Sequence, residues 1–294
     1  MRIAHATDIH WFTPPRLRDL GVKRVLGSAN LYLRGRRHDF SRDVQAQLVA
    51  HIAALQPDAV LLTGDLTAQA LDTEFEFARD TLSPLLERFP TFVIPGNHDA
   101  YTPKVVRRRR MRHWFGPWMG VDGPIGRSEA DGVTFLGLDP NRPTFATAAG
   151  IVPEAQLAAL AQTLADPALT GPVVLAIHYP PVDHAGAVYD SSHHGLLNAS
   201  ALIAVLEASP VRPVLIACGH VHRGFRSQIS LSDGGTIAVC NCGSSGHSWQ
   251  PARGRGAAMA VYDIDPVGTF TAERYLHDGT GFVPEPGGAW QSAR

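Results

Sequence analysis

Residues 91–99 read TFVIPGNHD, in which a short apolar run leads into a Pro-Gly pair and then three polar side chains. Such a run, bounded by Pro and Gly, predicts a buried strand that ends just before Asn97, His98 and Asp99. The same arrangement occurs at AVLLTGD, residues 59–65, and at VVLAIH, residues 173–178. Because sites in open α/β sheets lie at the carboxyl ends of the strands, the polar residues are predicted to meet at one edge of a sheet.

Helical patterns alternate with these strands. Ser41 can cap a helix whose apolar residues recur at helical spacing until Pro57, and further helices are predicted at about 73–89, 153–165 and 196–207. Strands are predicted at about 2–7, 133–138 and 214–217, and residues 236–239, 257–264 and 270–276 resemble a run of antiparallel strands. The alternation is a βαβ pattern and indicates the α/β class. Since no linker or repeat divides the chain, we predict a single domain over residues 1–294.

Composition narrows the class of protein. A chain of 294 residues with 45% hydrophobic and 18% charged residues is typical of globular proteins. A net charge of -1 gives no general attraction to nucleic acid, and no apolar stretch is long enough to span a bilayer. Three cysteines do not make a disulfide framework, so a cytoplasmic location is expected. Cys240 and Cys242, two residues apart in a predicted strand, are expected to be buried on one face.

Five short motifs supply oxygen and nitrogen ligands of the kind that bind divalent metals in hydrolases. In chain order the motifs are Asp8-Ile9-His10, Gly64-Asp65, Gly96-Asn97-His98-Asp99, His178 and Gly219-His220-Val221-His222. Each motif alone is weak, because an aspartate after a strand is more often a turn residue. Taken together, several of them directly after predicted strands, they indicate a two-metal phosphoesterase.

The five motifs resemble those of the calcineurin-like metallophosphoesterase superfamily, whose pattern is Asp-x-His, Gly-Asp, Gly-Asn-His-Asp/Glu, His and Gly-His-x-His. The resemblance runs from Asp8 to His222 and implies a four-layer α/β/β/α sandwich of two mixed sheets flanked by helices. It also implies two divalent metal ions, for which the ligand set suits Mn, Fe, Zn or Co. By this resemblance, one ion is held by Asp8, His10 and His222, the other by Asn97, His178 and His220, and Asp65 bridges them.

The reaction implied by the resemblance is hydrolysis of a phosphodiester by a water or hydroxide that bridges the two metals. His98, which is not a ligand in the family, is the expected general acid. Asp99 either orients His98 or caps the turn that contains it. A phosphomonoesterase and a nucleotide-sugar or lipid pyrophosphatase are alternative enzymes, and a catalytically silent scaffold of the same fold is the alternative outside enzymes.

The residues around Asp65 narrow the branch of the superfamily. Protein Ser/Thr phosphatases extend this motif with Asp-Arg-Gly, and purple acid phosphatases need a tyrosine where Ala68 stands. Two segments, TGDLT at 63–67 and PGNHDAY at 95–101, are similar to those of the bacterial group that includes class III cyclic-nucleotide phosphodiesterases. The expected substrate is therefore a small phosphoester, nucleotide-like or lipid-linked. Tyr179 is a departure, because many relatives have a second His there.

Two segments rich in basic and aromatic residues interrupt the pattern, at about 11–40 and 101–125. The first carries seven cations between Arg16 and Arg37, and the second reads RRRRMR at 107–112 followed by HWFGPWM. These segments either contact an anionic membrane, with a peripheral position on its inner face, or form a solvated charged face with the aromatic rings in the core. A third segment, which holds Asp183, His184, Asp190, His193 and His194, is either a polar surface loop or a cap on the site. The sequence leaves the oligomeric state open.

Overall fold

A computed structural model describes residues 1–16, 19, 24, 39–144 and 147–286. Within these ranges the strands are β1 (Arg2–Ala6), β2 (Ala59–Leu62), β3 (Thr91–Val93), β4 (Gly126–Ala130), β5 (Val133–Leu138), β6 (Val173–Ile177), β7 (Leu215–Cys218), β8 (Phe225–Ser230), β9 (Thr236–Asn241), β10 (Ala258–Ile264), β11 (Phe270–His277) and β12 (Phe282–Pro284). The α-helices are α1 (Arg42–Leu55), α2 (Asp72–Leu86), α3 (Pro103–Arg107), α4 (Arg110–Phe115), α5 (Glu154–Leu164) and α6 (Ala199–Ala208).

The strands form two mixed sheets of six. The first sheet has the order β12-β11-β10-β1-β2-β3, and the second has the order β4-β5-β6-β7-β9-β8. Strands β1, β2 and β3 are parallel neighbours, as are β5, β6, β7 and β9. Each sheet therefore contains a block of neighbouring parallel strands, whose carboxyl ends point to the same side.

Three apolar layers hold the sheets and helices together. Between the sheets, side chains such as Leu61 and Phe92 pack against Phe135 and Leu215. Outside the first sheet lie α1 and α2, and outside the second lie α5 and α6, each packed through its apolar stripe. The structure thus confirms the predicted four-layer α/β/β/α sandwich. Cys240 and Cys242 are both buried in the layer between the sheets, as expected.

The helix limits follow the predicted signals closely. The Ser41 hydroxyl accepts a hydrogen bond from the Val44 N–H at 3.5 Å and caps α1. This helix ends at Leu55, and Gln56 adopts a left-handed conformation with φ of 49° just before Pro57. Helix α5 begins directly after Pro153.

The strand predictions need two corrections. Strands β4, β8 and β12 were not predicted, and each lies at an edge of its sheet. Edge strands are half exposed, so their sequences lack the continuous apolar run that marks a central strand. The predicted antiparallel run was right for β10 and β11, which pair antiparallel in the first sheet, but wrong for β9, which joins the second sheet parallel to β7.

Of the two basic and aromatic segments, the structure describes the second. Residues 17–18, 20–23 and 25–38, with most cations of the first segment, lie outside the described residues. In the second segment Phe115 is fully buried, and the indole of Trp118 donates to the Leu86 carbonyl at 3.3 Å. Its aromatic rings thus pack against the protein, while Arg107 and Arg108 are exposed. No helix in the described ranges is both long enough and apolar enough to cross a membrane.

Candidate metal centre

The five motifs occupy loops that follow parallel strands. Asp8, Asp65 and Asn97 come after β1, β2 and β3 of the first sheet, while His178 and His220 come after β6 and β7 of the second. Because the parallel strands end on the same side of the sandwich, the loops converge there. The structure brings all seven predicted metal ligands together.

One group of ligand atoms belongs to Asp8, His10, Asp65 and His222, and these atoms lie within 4.8 Å of one another. The His222 Nε2 atom is 3.2 Å from Asp8 Oδ1. The Nε2 atoms of His10 and His222 are 3.0 Å apart. Two imidazole nitrogens, one or two carboxylates and this spacing suit a divalent transition metal.

A second group lies on the other side of Asp65. His178 Nε2 is 3.4 Å from Asp65 Oδ2, and the same oxygen is 3.7 Å from His10 Nε2 of the first group. His220 Nδ1 is 2.8 Å from the side-chain oxygen of Asn97, and the rings of His178 and His220 are 5.2 Å apart. The Asp65 carboxylate therefore stands between two groups of nitrogen and oxygen atoms, as a bridging ligand would.

Hydrogen bonds to the backbone orient the imidazoles. His178 Nδ1 donates to the Thr63 carbonyl at 2.7 Å, and His220 Nε2 donates to the His194 carbonyl at 2.9 Å. Because a carbonyl only accepts, the other nitrogen of each neutral ring carries the lone pair that a metal needs.

Two buried atoms test whether the site fits a metal. Asp8 Oδ2 accepts from the Thr7 hydroxyl and the His220 N–H, both at 2.9 Å, but Asp8 Oδ1 has no hydrogen-bond partner among the described residues. His178 Nε2 is also buried without one. Buried polar atoms without partners are costly, so atoms left open in this way fit a site built for cations.

The pKa shifts of the buried carboxyls and imidazoles also fit a cation site. Burial disfavours ionisation of Asp8 and Asp65, yet the imidazoles around them outweigh burial and hold the pKa of both carboxyls below the usual range. Burial lowers the pKa of His10 and of His220 well below the usual value. At His178, burial is outweighed by the carboxylates of Asp65 and Asp8, which raise the pKa to about 9. The centre is thus negative and attracts positive charge.

Backbone strain is concentrated at the ligands. Asp8, His10, Asp65, His220 and His222 have φ between 52° and 74°, and they are five of the nine non-glycine residues with positive φ in the described ranges. This left-handed conformation costs free energy for residues other than glycine, and such outliers cluster at functional sites. At Gly219, a Cβ atom would collide with the Thr7 hydroxyl and with Asp8 Oδ2. The motif glycine allows this close approach.

His98 lies beside the first group without joining it. Its Nδ1 donates to the Ala68 carbonyl at 2.7 Å, and its ring is 4.7 Å from that of His10. Its backbone N–H donates to Asp65 Oδ1 at 2.7 Å. The ring is half-buried, so Nε2 is the nitrogen left for a ligand or substrate.

Asp99 does not orient His98. Its carboxylate accepts from the backbone N–H groups of Gly96, Leu66 and Thr67 and from the Thr67 hydroxyl, at 2.9–3.2 Å. Burial, and then the nearby Asp65, raise the pKa of Asp99 to about 6. These hydrogen bonds tie the loop after β3 to the loop after β2, which favours the turn-capping role of the two considered for Asp99.

Several residues of the site escaped the sequence analysis. The Ser244 hydroxyl donates to the Asp8 carbonyl at 2.7 Å, and the Asn241 amide donates to the Gly219 carbonyl. Both lie at or after the end of β9, where no motif marks them. Phe40 and His247 line the first group, with ring distances of 4.5 Å from Phe40 to His10 and 5.2 Å from His247 to His222. The Asn241 position, at the end of a predicted strand, was the one available signal.

The five residues singled out in the third polar segment have different positions. Asp183 is half-buried and accepts backbone hydrogen bonds within its own turn, while His184, Asp190 and His193 are exposed. His194 alone reaches the site, where its ring stacks on that of His220. The surface-loop interpretation therefore holds for most of this segment.

Comparison with known proteins finds phosphoesterases with similar sequences. The family model of calcineurin-like phosphoesterases matches residues 1–224. A glycerophosphodiester phosphodiesterase, GpdQ, from Enterobacter lignolyticus is 30% identical over 60% of this chain and 61% of its own length. A cAMP/cGMP dual specificity phosphodiesterase from Mycobacterium tuberculosis is 29% identical over 58% of this chain and 50% of its own. The chain thus matches only about half to three fifths of the length of these relatives.

Solved structures share the fold at low sequence identity. A dimetal phosphatase from Danio rerio superposes with a TM-score of 0.58 at 15% identity, covering 99% of both chains. Purple acid phosphatase PPD1 from yellow lupin gives 0.56 at 13% identity, over 96% of this chain and 52% of that one. These two likenesses concern the fold alone. With the family model matched over most of the sequence, the chain belongs to the calcineurin-like phosphoesterase family.

Proposed function

We propose that this protein is a binuclear metal-dependent phosphodiesterase that hydrolyses a small phosphodiester, nucleotide-like or lipid-linked. The observation that carries the proposal is the Asp65 carboxylate, which lies 3.7 Å from His10 on one side and 3.4 Å from His178 on the other. In this proposal Asp8, His10 and His222 complete one site, and Asn97, His178 and His220 complete the second.

Two divalent ions in such sites would activate a water and neutralise charge on the phosphoryl oxygens. The residues of the chain provide the rest. Hydrogen bonds from Thr7 and from the His220 backbone fix the Asp8 carboxylate, so that its second oxygen faces the centre. The backbone N–H of His98 does the same for Asp65. The ligands are thus held in place before substrate arrives, which reduces the cost of reorganisation during the reaction.

His98 is the proposed general acid. The Ala68 carbonyl holds its Nδ1–H, so that proton exchange takes place at Nε2. From Nε2 a proton would pass to the oxygen of the departing alcohol as the bond to phosphorus breaks.

The names of the two relatives support a diester as the substrate, since both are phosphodiesterases. A phosphomonoesterase or a pyrophosphatase would use the same ligands and differ in the surroundings of the scissile bond. A silent scaffold would have no reason to keep seven ligands and His98 together. We also propose that residues 1–294 act as one domain, with a cytoplasmic location.

Parallel assays would test the proposal. Protein loaded in turn with Mn, Fe, Zn or Co is incubated with bis-p-nitrophenyl phosphate and with p-nitrophenyl phosphate. We expect faster release of nitrophenol from the diester, abolished by Asp65→Asn. Faster release from the monoester would favour a phosphomonoesterase, and no release with any metal would favour the scaffold. A screen of cyclic nucleotides, glycerophosphodiesters and UDP-sugars then identifies the substrate class.

A further inference from the structure

The ring of His220 is enclosed by two other rings. His194 stacks on it with centroids 3.9 Å apart and an interplanar angle of 24°. Tyr179 packs against it at 4.2 Å with an angle of 41°. We call Tyr179 and His194 the ring pair of His220. Phe40 lies beside the first ligand group, 4.5 Å from His10 and 6.1 Å from His222.

Gly150 links the two members of the ring pair, through backbone hydrogen bonds on one side and a ring contact on the other. The N–H of Gly150 donates to the Gly195 carbonyl at 3.0 Å, and the N–H of Leu197 donates back to Gly150 at 2.9 Å. This pairing holds the loop that carries His194. Gly150 also contacts the other member of the pair, because a Cβ atom there would lie 2.8 Å from the ring of Tyr179. The glycine is what leaves room for a tyrosine ring beside His220.

Tyr179 is fully buried, and its hydroxyl has no hydrogen-bond partner within the part of the chain that the structure describes. A buried hydroxyl without a partner costs free energy, so this group does not explain why a tyrosine suits the position. The ring itself, in contact with His220, is the part that packs favourably.

We propose that Tyr179 and His194 are positioning residues that set the affinity of the second metal site by fixing the ring of His220. This inference rests on the proposed binuclear function. With two rings within 4.2 Å of its centroid, the imidazole has little room to rotate about its Cβ–Cγ bond. Its Nδ1 therefore stays 2.8 Å from the Asn97 oxygen, the neighbouring proposed ligand of the second site. Losing a group that orients a metal ligand typically weakens metal affinity about 10- to 100-fold.

The test is titration of the metal-free full chain with Mn²⁺, monitored by calorimetry and by electron paramagnetic resonance. The spectrum distinguishes a single Mn²⁺ from a magnetically coupled pair, independently of turnover. We expect two ions in the wild type. In Tyr179→Leu and in His194→Leu we expect the dissociation constant of the second metal site to rise by about 10- to 100-fold. The signal of the coupled pair should then appear only at correspondingly higher Mn²⁺.

Three variants make the experiment specific. Tyr179→Phe keeps the ring and removes only the unpartnered hydroxyl, so it should bind both ions as the wild type does. Gly150→Ala presses on the Tyr179 ring and should weaken the same step. Phe40→Leu, beside the first group, should leave the second site unchanged. If Tyr179→Leu fails to fold, His194→Leu and Gly150→Ala carry the test.

The outcomes separate this inference from the proposed function. A wild type that binds a single Mn²⁺ would contradict the binuclear function itself. Two ions in the wild type, with unchanged affinities in the Tyr179, His194 and Gly150 variants, would overturn only the role of the ring pair. An equal loss in Phe40→Leu would also overturn it, since the effect would then be general loosening of the centre.

Discussion

Replacing His98 with alanine tests two proposals at once: that His98 is the general acid, and that it is not a metal ligand. The His98 side chain contacts the Ala68 carbonyl through Nδ1, whereas the contact with Asp65 comes from the backbone N–H at 2.7 Å. Truncation therefore removes the imidazole but leaves the hydrogen bond that orients the proposed bridging carboxylate. We expect the variant to bind metal with the stoichiometry of the wild type.

The loss of turnover should depend on the leaving group. General acid catalysis contributes about 10²- to 10⁴-fold, which corresponds to roughly 3–5 kcal/mol in activation free energy. That full loss is expected for a diester with an alcohol leaving group, such as a glycerophosphodiester, because an alkoxide needs a proton. Nitrophenolate leaves without one, so the loss of kcat on bis-p-nitrophenyl phosphate should be much smaller, under about tenfold.

The assay compares kcat on both substrates for the wild type, His98→Ala and a control, His184→Ala. His184 is exposed on the loop after β6, and its variant should match the wild type on both substrates. Equal losses of His98→Ala on the two substrates would refute the role of general acid. Loss of bound metal in His98→Ala would instead place His98 among the groups that build the site.

Three other predictions concern separate parts of the protein. Gly219→Ala should abolish metal binding measured by calorimetry, because its Cβ would collide with Asp8 Oδ2. Gly281→Ala, whose Cβ meets open space at a glycine without a positive φ, is the matched control. Burial raises the pKa of Glu74 to about 8, above its ordinary value of 4.5, so the protein should lose stability as pH rises through that window. Glu74→Gln should remove roughly 3–4 kcal/mol of this dependence between pH 5 and pH 8 in urea unfolding, and parallel changes in both proteins would contradict it. If the exposed Arg107 and Arg108 touch an anionic membrane, each contributes about 1 kcal/mol, so binding to phosphatidylserine vesicles should weaken in their double serine variant and in high salt, and no binding at low salt would rule the contact out.

Local sequence was sufficient for the central elements of the fold. Strands such as β2 and β6 are buried on both faces and read as uninterrupted apolar runs, which short-range analysis detects. The edge strands β4, β8 and β12 have one exposed side and shorter or mixed sequences, so they were missed. Strand β9 pairs in parallel with β7, with β8 lying between them in the chain, and no local pattern encodes that choice of neighbour.

In the metal centre, the residues that follow strands directly lie where their motifs predict. Asp8, Asp65 and His178 share that position. Parallel pairing of β1 with β2 brings the loops of Asp8 and Asp65 together, and packing of the second sheet against the first adds His178. For Asp99 the sequence allowed two roles. The choice between them depended on where the Leu66 and Thr67 N–H groups lie, 32 and more residues earlier in the chain.

The amino-acid sequence by itself determined which atoms are available at the centre: the ordered carboxylates, amide and imidazoles, and the glycines that let their loops turn. Only the tertiary structure decided how each is held, through the Thr63 and His194 carbonyls, the Ser244 hydroxyl and the ring of Tyr179. The physical reason is the range of the interactions. Strand propensity and turn chemistry act over a few neighbouring residues, whereas the contacts that orient a ligand join segments up to 236 residues apart and exist only once both sheets have packed.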